Sequence, residues 1–397
     1  MSLERARRVL VTGATGFIGG RLCEVLTLTG AFPFRALVHS AASAWRIARF
    51  PLDFAVGDLC DRAAVDRAVR GCDAVVHLAW GDHAVMQRGL ENLLRAAVDQ
   101  GVRRFVHISS VAVYGNHPPA DSVSEAAPAR PTDMAYGNEK LEQERRVLRH
   151  WKRHGLNAVI LRPPNVYGPY APFTVNLINK IRSREVAIVD GGRNPCNLVY
   201  VDNLVEAILL ALWKPEAVGE VFFVTDPAVV TWEQCIRDHA ALAGVEVARV
   251  AATALVPPRQ EHILRDSLRA LPHVLADRDL RHVLARIPVV RRAERLLYSW
   301  FQSLPEETRQ GIRLSLRGPQ RVQRNGAGER QFFSDETLIA AQERAVAHSS
   351  DKARRLLGYT APVSYDEAMR LTEQWLRHAG IIARDGVPEP GAGRVPP

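Results

Sequence analysis

Residues 9–19, Val-Leu-Val-Thr-Gly-Ala-Thr-Gly-Phe-Ile-Gly, constrain this chain more than any other stretch. An apolar run ends in three glycines spaced three apart, Gly13, Gly16 and Gly19. Behind them Ile18, Leu22, Val25 and Leu26 share one helical face. A strand that turns directly into a helix is the opening of a parallel-sheet unit. Gly13 permits the tight turn, Gly16 lets the backbone approach a bound group, and Gly19 lets the helix lie close to the strand. The start of the helix offers free N–H groups and a partial positive charge, which suit a pyrophosphate. Gly13, Thr15, Gly16, Phe17, Ile18 and Gly19 are therefore the expected phosphate cradle of a dinucleotide.

The same alternation continues along the first half. Strands are expected at residues 8–12, 34–38, 53–56, 74–78, 105–109 and 158–161, with helices at 17–28, 63–69, 86–97 and 134–150. After Pro163-Pro164, residues 198–201, 204–212 and 221–224 are expected to return to the sheet. The predicted class is α/β, a Rossmann-type doubly wound parallel sheet with a smaller C-terminal substrate domain. Residues 1–165 would form the dinucleotide-binding domain, with return segments at 196–226. Residues 166–195 and 227–382 would form a substrate-binding or lid region carrying an Arg-rich insertion at 259–330. Residues 383–397, rich in Gly and Pro, read as a disordered tail.

Composition acts as a filter on this reading. With 397 residues, 47% apolar and 24% charged, the chain has room for two or three folding units and is neither disordered nor collagen-like. No run of 18 apolar residues exists, and the most apolar stretch, residues 201–213, already carries Asp202 and Glu206. The five cysteines (Cys23, Cys60, Cys72, Cys196, Cys235) have no CxxC spacing and an odd count. They read as reduced thiols of a cytoplasmic protein, with no metal site. The net charge of +9 rests on 47 Arg and 5 Lys against 43 acidic residues. No recognition motif accompanies it, so nucleic acid is not an expected partner.

The second expected strand runs into His39-Ser40-Ala41-Ala42-Ser43, with no acid to hold the ribose 2′-hydroxyl of NAD. His39 or Arg46 would meet a 2′-phosphate, which slightly favours NADP and leaves NAD open; Arg46 also reads as an ordinary helix-surface residue. Asp58 and Leu59, after the third strand, are expected at the adenine edge, although Asp58 could equally cap the next helix. Tyr136 and Lys140 stand one helical turn apart. A free phenol, with a pKa near ~10, is a poor base at neutral pH. An ammonium one turn away would lower that value and make the tyrosine a usable proton donor and acceptor. Ser109 and Ser110 fall at the carboxyl end of the preceding strand, where ligands bind in such sheets and a hydroxyl can meet the reacting oxygen.

Other motifs join these: His77-Leu78-Ala79, Tyr114-Gly115, residues 161–169 (Leu-Arg-Pro-Pro-Asn-Val-Tyr-Gly-Pro) and Tyr200-Val201-Asp202-Asn203. Together, over residues 8–245 with a weaker echo at 348–375, the set resembles the extended short-chain dehydrogenase/reductase superfamily, closest to its NAD(P)-dependent epimerase/dehydratase family. The resemblance implies Tyr136 as general acid/base and Lys140 as the residue that holds the nicotinamide ribose. It implies Ser110 as the catalytic hydroxyl, with Ser109 as the fallback. Leu78, Ala79 and Pro163 would line the cofactor, and Ser109, Tyr114, Asn165 and Arg193 would surround the substrate. His77 and His107 read as strand histidines rather than catalysts. A homodimer through residues 86–97 and 134–150 is also implied.

Three departures narrow the substrate. Val111 and Ala112 stand where sugar 4,6-dehydratases of the family carry Asp-Glu, so that dehydration is not expected. Cys196 and Asn197 stand where nucleotide-sugar enzymes often place an arginine for the diphosphate, a role left to Arg193 or to an arginine of 259–330. Met86 replaces an asparagine frequent ahead of Gly89. The leading expectation is an NAD(P)-dependent oxidoreductase or epimerase on a small-molecule secondary alcohol or ketone, of a sugar or nucleotide-sugar. A 3β-hydroxysteroid-dehydrogenase-like or dihydroflavonol-reductase-like enzyme with a hydrophobic substrate is the runner-up, and a non-catalytic dinucleotide sensor the third reading. The window 259–330 holds 15 Arg and 8 acidic residues. It reads as solvated helices, as a site for a phosphate-bearing substrate, or as a peripheral contact with anionic lipid.

Overall fold

The computed structural model describes residues 8–251 and 336–383. The chain divides into two compact units, residues 1–255 with 332–397 and residues 256–331, and every described residue belongs to the first. The Arg-rich insertion 259–330 and the tail from residue 384 onward lie outside the described residues.

In chain order the strands are β1 (Val9–Thr12), β2 (Phe34–Val38), β3 (Asp53–Val56), β4 (Ala74–His77), β5 (Arg104–Ile108), β6 (Ala158–Arg162), β7 (Asn165–Tyr167), β8 (Ala187–Val189), β9 (Leu198–Tyr200), β10 (Val221–Phe223) and β11 (Ala248–Val250). Seven of them form one sheet in the order β10-β6-β5-β4-β1-β2-β3, every pair parallel. β1 sits between β2 and β4, Val9 opposite Phe34 on one side and Ala74 on the other. The strand order reverses there, which opens a crevice at the carboxyl edge.

The helices are α1 (Phe17–Thr29), α2 (Arg62–Val69), α3 (Leu90–Asp99), α4 (Ala135–His154), α5 (Pro172–Arg182), α6 (Val201–Trp213), α7 (Trp232–Ala243), α8 (Glu336–Gln342), α9 (Asp351–Leu357) and α10 (Tyr365–His378). The strands are apolar on both faces because both faces are covered. Val9, Val11 and Val76 pack with Leu22 and Leu26 of α1, Val205 and Leu212 of α6, and Leu357 of α9. Leu10, Val75 and Phe105 pack on the other face with Val65 of α2, Leu93 and Leu94 of α3 and Val147 of α4. A third apolar cluster, with Tyr167, Ile178, Trp232, Ile236 and Leu376, gathers α5, α7 and α10.

The doubly wound parallel sheet is as expected from the sequence, with two corrections. Val221–Phe223 returns to the main sheet beside β6, but Leu198–Tyr200 does not, and residues 204–212 lie in helix α6 against the sheet rather than in it. Pro163 and Pro164 have no N–H to continue a ladder, so the chain leaves the sheet after β6. It then pairs as β7 with β9 in a separate two-stranded ribbon. α4 runs past the expected residue 150 to His154, since nothing breaks it before Gly155, which closes it at φ 68. Among the described residues no helix is long and apolar enough to cross a membrane.

Candidate active site

The turn after β1 is built as its glycines require. Gly13 has φ +70, and a Cβ there would lie 2.6 Å from the Leu78 carbonyl carbon and 2.7 Å from the Ala79 nitrogen. A Cβ on Gly19 would run into the Gly13 carbonyl oxygen. Gly16 is extended and N-caps α1 with no side-chain cap, so the first N–H groups of the helix remain for an anion. These groups border a cleft of about 890 Å³. Gly13, Thr15, Gly16, Phe17, Ile18 and Gly19 line one end of it, His39, Asp58 and Leu59 lie along it, and Leu78, Ala79 and Pro163 line it further. Ser109, Ser110, Tyr136 and Lys140 complete the wall. The size, the glycine cradle and the uncapped helix fit a dinucleotide.

The residues expected to handle protons stand on α4 and on the turn after β5. The backbone N–H of Ala112 donates to Ser110 Oγ, 3.1 Å, at the start of a tight turn over Val111–Tyr114. Gly137 lets α4 lie against this turn, because a Cβ there would strike the Ala112 carbonyl oxygen. The close approach brings the Tyr136 phenol to the Ser110 hydroxyl, and that bond pulls the phenol pKa down while the larger effect, burial, pushes it up. The expectation that Lys140 acidifies Tyr136 is therefore corrected. Lys140 Nζ donates instead to the Ile108 carbonyl oxygen at 3.0 Å. Burial lowers the lysine to about 8, against the upward pull of Glu144 and Glu139.

A second cleft of about 330 Å³ adjoins the first, and Ser110, Tyr136 and Pro164 line both. Its walls include Asn165, Phe173, Asn197, Trp232, Leu338, Arg344, Val346 and His348. Asn165, expected at the substrate, is thus placed beside Ser110 and Tyr136. Three other expectations are corrected. Tyr114 is buried: its hydroxyl donates to the Ala127 carbonyl oxygen at 2.9 Å and accepts from Arg162 at 2.8 Å, so it reaches neither cleft. Arg193 is exposed and borders neither. Arg46 lies over the Tyr170 ring, 4.5 Å from its centroid, outside the larger cleft. Ser109 lines the larger cleft but donates its hydroxyl to the buried Glu144, whereas Ser110 lines both clefts.

His77 and His107 are buried and stacked at 5.5 Å. Burial, with Lys140, pushes His77 down to about 3 and His107 well below its usual range, so both are neutral. Asp58 accepts from the Cys60 N–H at 2.8 Å while lining the cleft. Sequence reasoning missed Trp80, 66% exposed and 6.4 Å from the Tyr136 ring, although its place just after Ala79 was a usable signal. It also missed Arg344 and His348, which reach the site from more than 200 residues further along the chain.

Comparisons with known proteins bear on the family and the fold. The model of the NAD dependent epimerase/dehydratase family matches residues 9–224. The chain is 32% identical over 234 residues to the 4-hydroxy-2-methyl-3-oxo-4-farnesyl-3,4-dihydroquinoline-1-oxide ketoreductase of Stigmatella aurantiaca, across 56% of this chain and 69% of that protein. It is 28% identical over 250 residues to the UDP-glucose 4-epimerase of Vibrio cholerae, across 59% and 75%. The crystal structure of the Thermotoga maritima UDP-glucose 4-epimerase with UDP-glucose aligns with a TM-score of 0.62 at 20% identity, covering 94% of this chain and 99% of that one, a likeness of fold.

Proposed function

Because the chain belongs to the NAD dependent epimerase/dehydratase family, we propose that it is an NAD(P)-dependent oxidoreductase or epimerase acting on a ring-borne secondary alcohol or ketone of a sugar. The observation that carries this reading is the junction of the two clefts at Ser110 and Tyr136. A nicotinamide dinucleotide, when bound in the larger cleft, supplies hydride acceptance and return. Gly13, Gly16 and Gly19 would hold its pyrophosphate against the start of α1.

Ser110 donates a hydrogen bond to the substrate oxygen and orients it toward Tyr136. Tyr136 takes the hydroxyl proton as the alcohol is oxidised and gives one back when the carbonyl is reduced. Lys140 presents its ammonium to the cleft from the floor formed by Ile108. Charged below about pH 8, it would hold the ribose of that dinucleotide at the floor of the cleft. With Arg46 on Tyr170, His39 is the one of the two expected residues that lines the larger cleft, so the ground for preferring NADP over NAD rests on His39.

The test is a Tyr136→Phe variant of the full chain, assayed by cofactor absorbance and by product analysis. Turnover falls about 10²- to 10⁴-fold while dinucleotide binding stays within about twofold. Turnover at the parent rate would refute the assignment. Oxidised cofactor retained through purification would favour epimerisation, and exchangeable reduced cofactor a net reductase. A hydrophobic ketone as substrate is the second reading, favoured by Phe173, Trp232, Leu338 and Val346 along the smaller cleft.

A further inference from the structure

The smaller cleft is unlike the larger one in size, wall and charge. At about 330 Å³ against about 890 Å³, it has roughly a third of the volume. Phe173 and Trp232 form an aromatic corner, 6.5 Å between ring centroids, continued by Leu338 and Val346. Such a corner suits the flat apolar face of a ring.

Arg344 supplies the polar end. Its guanidinium is fixed by two bonds to one residue, donating to the Asn116 carbonyl oxygen at 3.2 Å and to Asn116 Oδ1 at 2.7 Å. The segment that carries it is anchored as well: Asn197 donates to the Val346 carbonyl oxygen at 2.9 Å and accepts from the His348 N–H at 2.9 Å. Among the described residues no carboxylate pairs with Arg344. Burial works against its charge, and the field of Asp133 only partly offsets that. A half-buried, immobilised guanidinium without a counter-ion among the described residues leaves desolvated charge for a ligand to neutralise. Lys180, the other described cation of this cleft, is already engaged.

Resting on the hydride-transfer reading above, we infer that the substrate is a compact ring alcohol or ketone bearing one anionic group, a carboxylate or a monophosphate. Arg344 binds that anion while the reacting oxygen lies on Ser110 and Tyr136. Among the described residues the cleft has room for one ring and one anion. Arg344 is the specificity residue for this class.

The experiment measures dissociation constants by calorimetry on the full chain loaded with NAD(P), using glucose, glucuronate, glucose 1-phosphate and UDP-glucose as probes. At least one of glucuronate and glucose 1-phosphate binds about tenfold or more tighter than both glucose and UDP-glucose, and which of the two does so separates carboxylate from phosphate. Arg344→Gln weakens that monoanion about 10- to 100-fold and leaves glucose within about twofold. Arg344→Lys keeps part of the gain, since charge survives and the planar fork does not. UDP-glucose binding tighter than both monoanions would overturn the inference. Equal weakening of glucose and the monoanion in Arg344→Gln would overturn it too, as a collapse of the cleft wall. Binding of none of the four by a chain that still binds NAD(P)H also overturns it. Failure to bind NAD(P)H overturns the hydride-transfer reading itself.

Discussion

Replacing Glu144 by Gln tests the buried network beneath the active site. Arg162 reaches Glu144 with two bonds, 2.8 Å from Nε and 2.6 Å from a terminal nitrogen, and the two side chains are 7% and 3% exposed. Ser109 donates to the same carboxylate, and Arg162 donates onward to Tyr114. Burial opposes the Arg162 charge, and Glu144 with Tyr114 more than restores it, so its pKa rises. Glu144→Gln keeps the shape and removes the charge, which strands a buried guanidinium. The expected loss is about 3–5 kcal/mol, a factor of roughly 150 to 5,000 in the folding equilibrium. Urea unfolding followed by tryptophan fluorescence measures it. Glu144→Gln/Arg162→Met removes both charges and recovers more than half of the loss, because the penalty lies in the unpaired charge rather than in the missing pair. A single variant within 1 kcal/mol of the parent, or a double variant weaker than the single, would refute this reasoning. The same substitution also acts on catalysis. Glu144 raises the Lys140 pKa, so its loss moves that lysine further below about 8. Lys140 is charged below its pKa and neutral above it, hence the alkaline fall of turnover shifts to lower pH in Glu144→Gln.

Two further outcomes are expected. Gly137→Ala drives a methyl into the Ala112 carbonyl, lowering stability by about 1–3 kcal/mol and displacing Tyr136, so turnover falls more steeply than dinucleotide affinity; equal turnover by variant and parent would show that α4 does not need this close approach. Arg46→Ala leaves the ratio of NADP to NAD dissociation constants unchanged within about twofold, since the guanidinium rests on Tyr170; a tenfold loss of NADP preference would return Arg46 to the cofactor.

What could be read from the sequence was local. The glycine turn, the one-turn spacing of Tyr136 and Lys140, and the serines at the end of β5 each follow from a few adjacent residues. Their physical demands, a positive φ at Gly13 or a close helix at Gly137, leave a mark on composition. Tyr114 failed as a substrate residue because its hydroxyl is claimed by Arg162, 48 positions away, and no pattern near Tyr114 announces that partner. β9 failed as a main-sheet strand because the choice between two partners is set by where Pro163-Pro164 ejects the chain, not by the apolarity of Leu198–Tyr200. Arg344 and His348 lie in a segment whose pattern is weak, and only the fold places it over Ser110.

The order in which the two clefts become complete follows from where their walls lie along the chain. Among the described residues the glycine-lined cleft is finished by Pro172, whereas its neighbour waits for His348. A nascent chain lengthening by about 5–20 residues per second needs roughly 10–35 s to cover that interval. During translation the described walls of the larger cleft are therefore all synthesised well before the last walls of the smaller one.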